Sequence, residues 1–258
     1  MGLWGRKPLI PDGEAHWVAE TCASFVRRFG TDWSASRRLI LPTRSFFDAP
    51  KGRDHAVALE VFAQIKAHMG LGDDWPVRLE PQEAAPRPMA LGDTVLVQTD
   101  VAPVLGTFRV DETGPLIAYD PDLPTTPRAF IATMAHELAR YMMLAIPDPQ
   151  ATAADPDLDE IATDIMVIAA GFGVMSLETA FSAESFGDTF AQGWQVSRRG
   201  YISPEVSAFA LGLFLSRHSI PLDDLRAHLA PANVKRLKRA LAQIDADPAL
   251  VDPDATEH

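Results

Sequence analysis

Ala135-His136-Glu137-Leu138-Ala139-Arg140-Tyr141 is the stretch on which the reading of this chain turns. It lies in a helix-forming segment that opens at Thr126-Pro127, a capping residue followed by proline at the first helical position. Apolar residues at helical spacing, Phe130, Ile131, Met134, Leu138 and Tyr141, carry the helix to about Leu144. Residues four apart share a helix face, so His136 and Arg140 point the same way with Glu137 beside them. A Pro- and Asp-rich loop, Ile146 to Asp157, leads to a second apolar helix, Leu158 to Ala170, with Gly171-Phe172-Gly173 as its expected stop. That helix carries Glu160 and, one turn on, Asp164. Ile161, Ile165, Val167 and Ile168 mark it as buried, and buried carboxylates need partners.

Working outward, residues 1–53 read as an irregular N-terminal segment with one helix, Glu14 to Arg28, and a short strand at Leu39 to Pro42. Asp54 is a good N-cap for a helix whose apolar residues are Ala58, Val61, Phe62, Ile65 and Met69, and Gly70 stands where a helix-ending glycine belongs. Strands are expected at Val77 to Leu79, Thr94 to Thr99, Gly106 to Val110 and Leu116 to Tyr119, with Asp111-Glu112-Thr113-Gly114 as the turn of a hairpin. Beyond residue 200, Ser203-Pro204-Glu205 opens a helix reaching Arg217. Shorter helices follow at about 222–229 and 232–245, and the tail from Asp247 to His258 should fray. The sequence therefore predicts an α+β protein with a small, mainly antiparallel sheet and a helical C-terminal half. It divides into the segment 1–53, a core over 54–175 and a helical region over 176–258.

The chain has 258 residues, 47% of them hydrophobic and 22% charged, values ordinary for a globular protein. Its formal net charge of −12 argues against nucleic acid as a partner. Cys22 is the single cysteine, so neither an internal disulfide nor a thiolate cluster for a metal can form. The N-terminal stretch Met1 to Pro11 has no apolar core of a secretory signal, and apolar runs such as Ile165 to Ala170 are too short to span a bilayer. A cytoplasmic protein without membrane contact is the expectation.

The two helices resemble the zinc site of gluzincin-type, thermolysin-like metallopeptidases. In that family a His-Glu-x-x-His helix presents two imidazoles to zinc, with the glutamate as base to the metal-bound water. A glutamate on a second helix is the third ligand, and an aspartate one turn later holds the first histidine's tautomer. His136, Glu137, Glu160 and Asp164 stand in the matching places, as first ligand, base, third ligand and histidine-orienting aspartate. The chain is also similar to a group of uncharacterised bacterial proteins with an intact His-Glu-x-x-His and a Thr-Asp-apolar-Gly-x-Gly segment, through Thr163-Asp164 and Gly171-Phe172-Gly173. The resemblance covers roughly residues 54–217, with firm motifs only in 130–175, and implies a zincin-like core. Tyr141, next to the motif, and Tyr201, before a helix start, are candidates for the cleft such a core would have; the plainer role is packing for Tyr141, while for Tyr201 a loop anchor stands open beside the cleft.

Arg140 breaks the pattern, because it occupies the second histidine's place. Arginine offers five donors and no acceptor and stays protonated, so it cannot ligate zinc. Two unit charges 4 Å apart repel by about 4 kcal/mol at an effective dielectric of 20, and a dication doubles that. A guanidinium is instead well matched to a carboxylate. The expectation is therefore that no metal is held, and that Arg140 bridges to Glu160 and also toward Glu137, joining the two helices.

Three functions remain open on the sequence. The first is a non-catalytic metallopeptidase-like protein that binds a peptide or protein in the old cleft, where a strand of the hairpin offers an edge for an extended chain. The second is a working metal-dependent hydrolase using His136, Glu160, zinc and an unlocated ligand, with Glu137 as base. The third is a structural or assembly protein. His55, His68, His218 and His228 show no His-x-x-x-His spacing that would supply the missing ligand locally.

Overall fold

Eight helices and three strands appear in a computed structural model that describes residues 7–50, 52–82, 106–148, 156–186 and 202–251. Helix α1, Asp12–Phe29, buries Ala15, Val18, Ala19, Cys22 and Phe25, the helical repeat expected of an amphipathic stretch. A short α2, Thr31–Ala35, follows, so the N-terminal segment has two helices where one was expected. No strand forms over residues 39–42. Ile40 instead donates its backbone N–H to Gly171 O at 2.9 Å, which ties this segment to a helix rather than to the sheet.

Helix α3, His55–Met69, is capped at both ends as its sequence predicts. Asp54 Oδ1 accepts from Val57 N at 3.0 Å. Gly70 adopts φ 79°, and Gly70 N and Leu71 N turn back to the carbonyls of Ala67 and Lys66. His68 and His55 are also engaged: a ring nitrogen of His68 lies 2.8 Å from Phe46 O, and one of His55 lies 3.0 Å from the Tyr119 hydroxyl.

The described strands are β1 (Arg78–Pro81), β2 (Gly106–Asp111) and β3 (Gly114–Tyr119), in the order β1-β3-β2. β2 and β3 form the expected antiparallel hairpin, with Phe108 opposite Ile117 and Asp111 opposite Gly114. β1 runs parallel to β3, with Leu79 opposite Ile117. The sheet is therefore mixed rather than mainly antiparallel. Burial accounts for this placement: Leu116, Ile117, Ala118 and Tyr119 are all buried, so β3 takes the central position, which is covered on both sides. The strand expected at residues 94–99 lies outside the described residues.

Helix α4, Pro127–Ala145, carries the motif and packs on the sheet with one side and on the following helices with the other. Helix α5, Pro156–Val167, runs up to the glycines expected to stop it, and the regular helix breaks at Gly171. The segment Ile168–Phe172 is a kink with non-helical φ/ψ at Gly171, and α6, Gly173–Phe186, is a second helix beyond it. Gly171 has φ 103°, and a Cβ there would fall 2.2 Å from Arg38 O, so the kink between the two helices is accommodated only by glycine. Taken together across this kink, Leu158–Thr179 is a 22-residue span whose most apolar 18 residues have mean hydropathy 1.6, long and apolar enough to cross a bilayer by length and composition alone. The span is not an uninterrupted apolar run, since it carries Asp159, Glu160, Asp164 and Glu178, and 72% of its most apolar 18 residues are buried inside the protein itself.

Helices α7, Pro204–Arg217, and α8, Pro231–Ala246, complete the C-terminal part. Ser203 caps α7 through Val206 N. The helix expected at about 222–229 is two short 3₁₀ turns, Leu222–Asp224 and Arg226–His228. The tail is anchored further than expected: Leu250 is buried and Val251 O accepts from Arg217 Nε at 2.7 Å. A single apolar core runs from Leu9 and Ile10 through α4, α5 and α7 to Leu250. The protein is thus mixed α and β, mostly helical, with a small mixed sheet.

Candidate functional site

Helices α4 and α5 lie side by side, and their polar residues meet where an otherwise apolar interface is interrupted. His136 projects from α4 between two carboxylates of α5. Its Nδ1 lies 2.9 Å from Asp164 Oδ1, and its Nε2 lies 3.4 Å from Glu160 Oε2. Both ring nitrogens face acceptors, which requires both to carry a proton. Burial, the largest single influence, favours the neutral ring. The hydrogen bonds to Asp164 and Glu160 and the charges of Asp164 and Glu137 outweigh it, so the His136 pKa is pushed up to about 10.

Glu160 uses its other oxygen for Arg140. Arg140 Nη2 donates to Glu160 Oε1, joining α4 to α5 as the residue types predict. The hydrogen bond from His136 holds the Glu160 pKa below its ordinary value; partial burial opposes this, and the Arg140 charge reinforces it. Arg140 also leans toward Glu137, with Nε 4.0 Å from Glu137 Oε2. That separation is too long for a hydrogen bond, and Arg140 Nε is buried without a partner among the described residues.

Glu137 points away from the pair. Its Oε2 accepts the backbone N–H of Phe108 on β2 at 2.8 Å, with the residue only 7% exposed. The register explains why this N–H is available. Asp111 and Gly114 close a two-residue hairpin turn, so the outward-facing groups of β2 alternate back through Val110 to Phe108. Glu137 therefore caps an edge-strand donor that would otherwise be exposed. Asp164 has a second bond too, accepting Ile202 N at 3.0 Å, which ties α5 to the entry of α7.

Tyr141 takes the packing role. Its ring stacks with Phe108 and meets Trp75 edge-on, while its hydroxyl donates to Pro76 O at 3.2 Å. Tyr201 lies outside the described residues. The bonds Glu137–Phe108 and Asp164–Ile202 were not read from the sequence, and no residue-type signal would have found them, since both partners are backbone amides.

This donor set suits zinc poorly. Arg140, in the second imidazole's place, has no lone pair to offer a cation, and Glu160 already faces Arg140 and His136. Among the described residues, no three His, Cys, Asp or Glu side chains are grouped as a metal requires. What the arrangement does chemically is hold charge: two cations set among three carboxylates across a helix interface. Comparison of the chain with protein-family models, with curated protein sequences and with solved structures finds no match in any of the three.

Proposed function

We propose that this protein is a non-catalytic relative of gluzincin-type metallopeptidases, in which a guanidinium–carboxylate pair stands where zinc would be held. The observation that carries the reading is the hydrogen bond from Arg140 to Glu160, with His136 set between Glu160 and Asp164. What supports the reading is that the histidine, the glutamate and the aspartate are the residue types the resemblance calls for and meet between α4 and α5, while the one changed ligand position carries a cation. Such a scaffold holds its helices together without a metal and leaves its surface for a peptide or protein partner; the strongly acidic net charge does not suit nucleic acid.

The competing reading, a metal-dependent hydrolase with Glu137 as base, needs a further ligand and a neutral His136. Elemental analysis of protein purified without chelator separates the two. The proposal expects zinc far below one equivalent, and one equivalent overturns it. Arg140→His is the constructive counterpart. It restores a second imidazole beside His136 and removes the cation, so zinc affinity should rise by at least a hundredfold over the parent protein; an unchanged affinity would show that the helices no longer hold a zinc-like geometry.

A further inference from the structure

The ends of α4 and β2 carry apolar side chains where local physics favours charge. Val110, on the edge strand β2 of the described sheet, is 69% exposed, and Leu144, in the last turn of α4, is 65% exposed. Edge strands are commonly guarded by charged residues, and the carbonyl end of a helix by lysine or arginine. The last turn of α4 has no basic residue. Single exposed apolar residues need no explanation, but these two extend one aromatic cluster.

Strand β2 and helix α4 run alongside each other in the same direction. A Cβ on Gly106 would meet Thr133, Met134 and Glu137, while Phe108 gives its N–H to Glu137 and stacks its ring on Tyr141 at 5.2 Å. The next step on each element keeps to the same side. Val110 follows Phe108 by two residues, about 7 Å along the strand, and Leu144 follows Tyr141 by three, about 4.5 Å along the helix. Trp75, in the segment leading into β1, meets Tyr141 edge-on at 5.3 Å. Trp75 and Phe108 are only half-buried. Trp75, Phe108, Val110 and Leu144 thus make an exposed apolar patch around the buried Tyr141 ring, at the end of the sheet where the hairpin turns.

The rim of this patch is acidic. Asp73 and Asp74 precede Trp75, and Glu112 lies in the hairpin turn; all three are exposed and none is in a described ion pair. Burial raises the Tyr141 pKa most, and the charge of Asp74 adds to it, which places that carboxylate beside the cluster. The nearby cations are committed: Lys66 Nζ donates to Trp75 O at 2.9 Å, and Arg78 is shared between Glu80 and Asp111. Arg109 belongs to the opposite face of β2, since neighbouring strand residues alternate.

We propose that this patch docks a segment of another protein in which an aromatic or branched aliphatic anchor is flanked by lysine or arginine. The anchor covers Val110 and Leu144 against the rings of Phe108 and Trp75, and the flanking cation meets Asp73, Asp74 or the Trp75 ring face. A second copy of this chain is a poor occupant, because each brings a net charge of −12. Docking here is through side chains: the outward N–H of Phe108 is already taken by Glu137. The assignment deepens the reading of a peptide or protein partner and rests on it. Zinc content tests that reading and peptide binding tests this one, so their failures are distinguishable.

A random heptapeptide library displayed on phage is selected on the immobilised full chain and, in parallel, on the double variant Val110→Ser/Leu144→Ser. Both positions are exposed, so an unchanged melting temperature should confirm that the variant folds. Selection on the parent chain should enrich peptides with Trp, Phe or Leu within two residues of Lys or Arg. The most enriched sequence, made as a synthetic peptide, should shift the Trp75 indole and the Val110 and Leu144 methyl signals in NMR spectra. It should bind the double variant at least tenfold more weakly, and Asp73→Asn/Asp74→Asn at least threefold more weakly. Enrichment of acidic peptides or of none, or equal affinity for the parent and the Val110/Leu144 variant, would overturn the assignment. So would concentration-dependent dimers in light scattering that the same double variant abolishes, which would make a second copy the occupant.

Discussion

His136 is the residue whose protonation state organises the site, and its behaviour with pH follows from its neighbours. Its folded pKa, about 10, lies above the 6.5 of an unperturbed imidazole, so its contribution to stability is fully present below about pH 6.5 and lost as pH rises through about 10. Thermal melts should therefore show a decline between pH 7 and 10 that is clearly smaller in His136→Gln; parallel profiles would mean that the ring is neutral in the folded protein. Arg140→Ala removes the partner of a half-exposed carboxylate, between the surface and buried limits for ion pairs, and should cost about 1–3 kcal/mol in urea unfolding at neutral pH. Much of this was legible in the residues. The four-residue spacings of His136 with Arg140 and of Glu160 with Asp164 define shared faces, and opposite charges on facing helices predict pairing. Glu137 was not legible in the same way. Its partner is the Phe108 amide, which any residue type would present.

Elements respond to different pressures. The caps of α3 and α7 are local, made by Asp54, Gly70 and Ser203 within a few residues of the helix ends, and their sequence signatures held. Gly171 is the opposite case. A glycine in an apolar run reads as a stop, and Gly171 does break the regular helix, but what holds the kink is distant: Arg38 O occupies the space a side chain would need and the Gly171 carbonyl takes the Ile40 N–H. Gly171→Ala combines positive φ with a backbone clash and should destabilise the protein by about 2–5 kcal/mol in denaturant titration. A change under about 0.5 kcal/mol would show that the turn relaxes freely. The edge of β2 offers a second check. Glu137→Ala should speed hydrogen exchange at Phe108 and cost about 1–3 kcal/mol, whereas Glu137→Gln, which keeps an acceptor oxygen, should retain most of the protection.

The whole molecule is held by one core, and its ends are fastened to each other. Gln243 of α8 accepts Leu9 N and donates to Ile10 O, while Arg217 of α7 holds the Val251 carbonyl. The described residues of the segments 1–53 and 176–258, separable on the sequence, therefore share buried surface with the middle of the chain. Calorimetry should record one cooperative transition, and Gln243→Ala should lower its midpoint without splitting it; two resolved transitions would contradict a shared core. The sequence by itself determined the helix starts, the hairpin turn, the acidic balance and the residue types that meet between α4 and α5, because these depend on interactions within about one turn or on charge sign alone. Tertiary structure decided that β3 lies at the centre with β1 parallel to it, that the kink at Gly171 packs against the Arg38 carbonyl, and that Glu137 serves a strand edge. Each of those outcomes depends on which distant backbone group arrives at a given place, and the free energy of such an encounter is a property of the packed whole rather than of any local stretch.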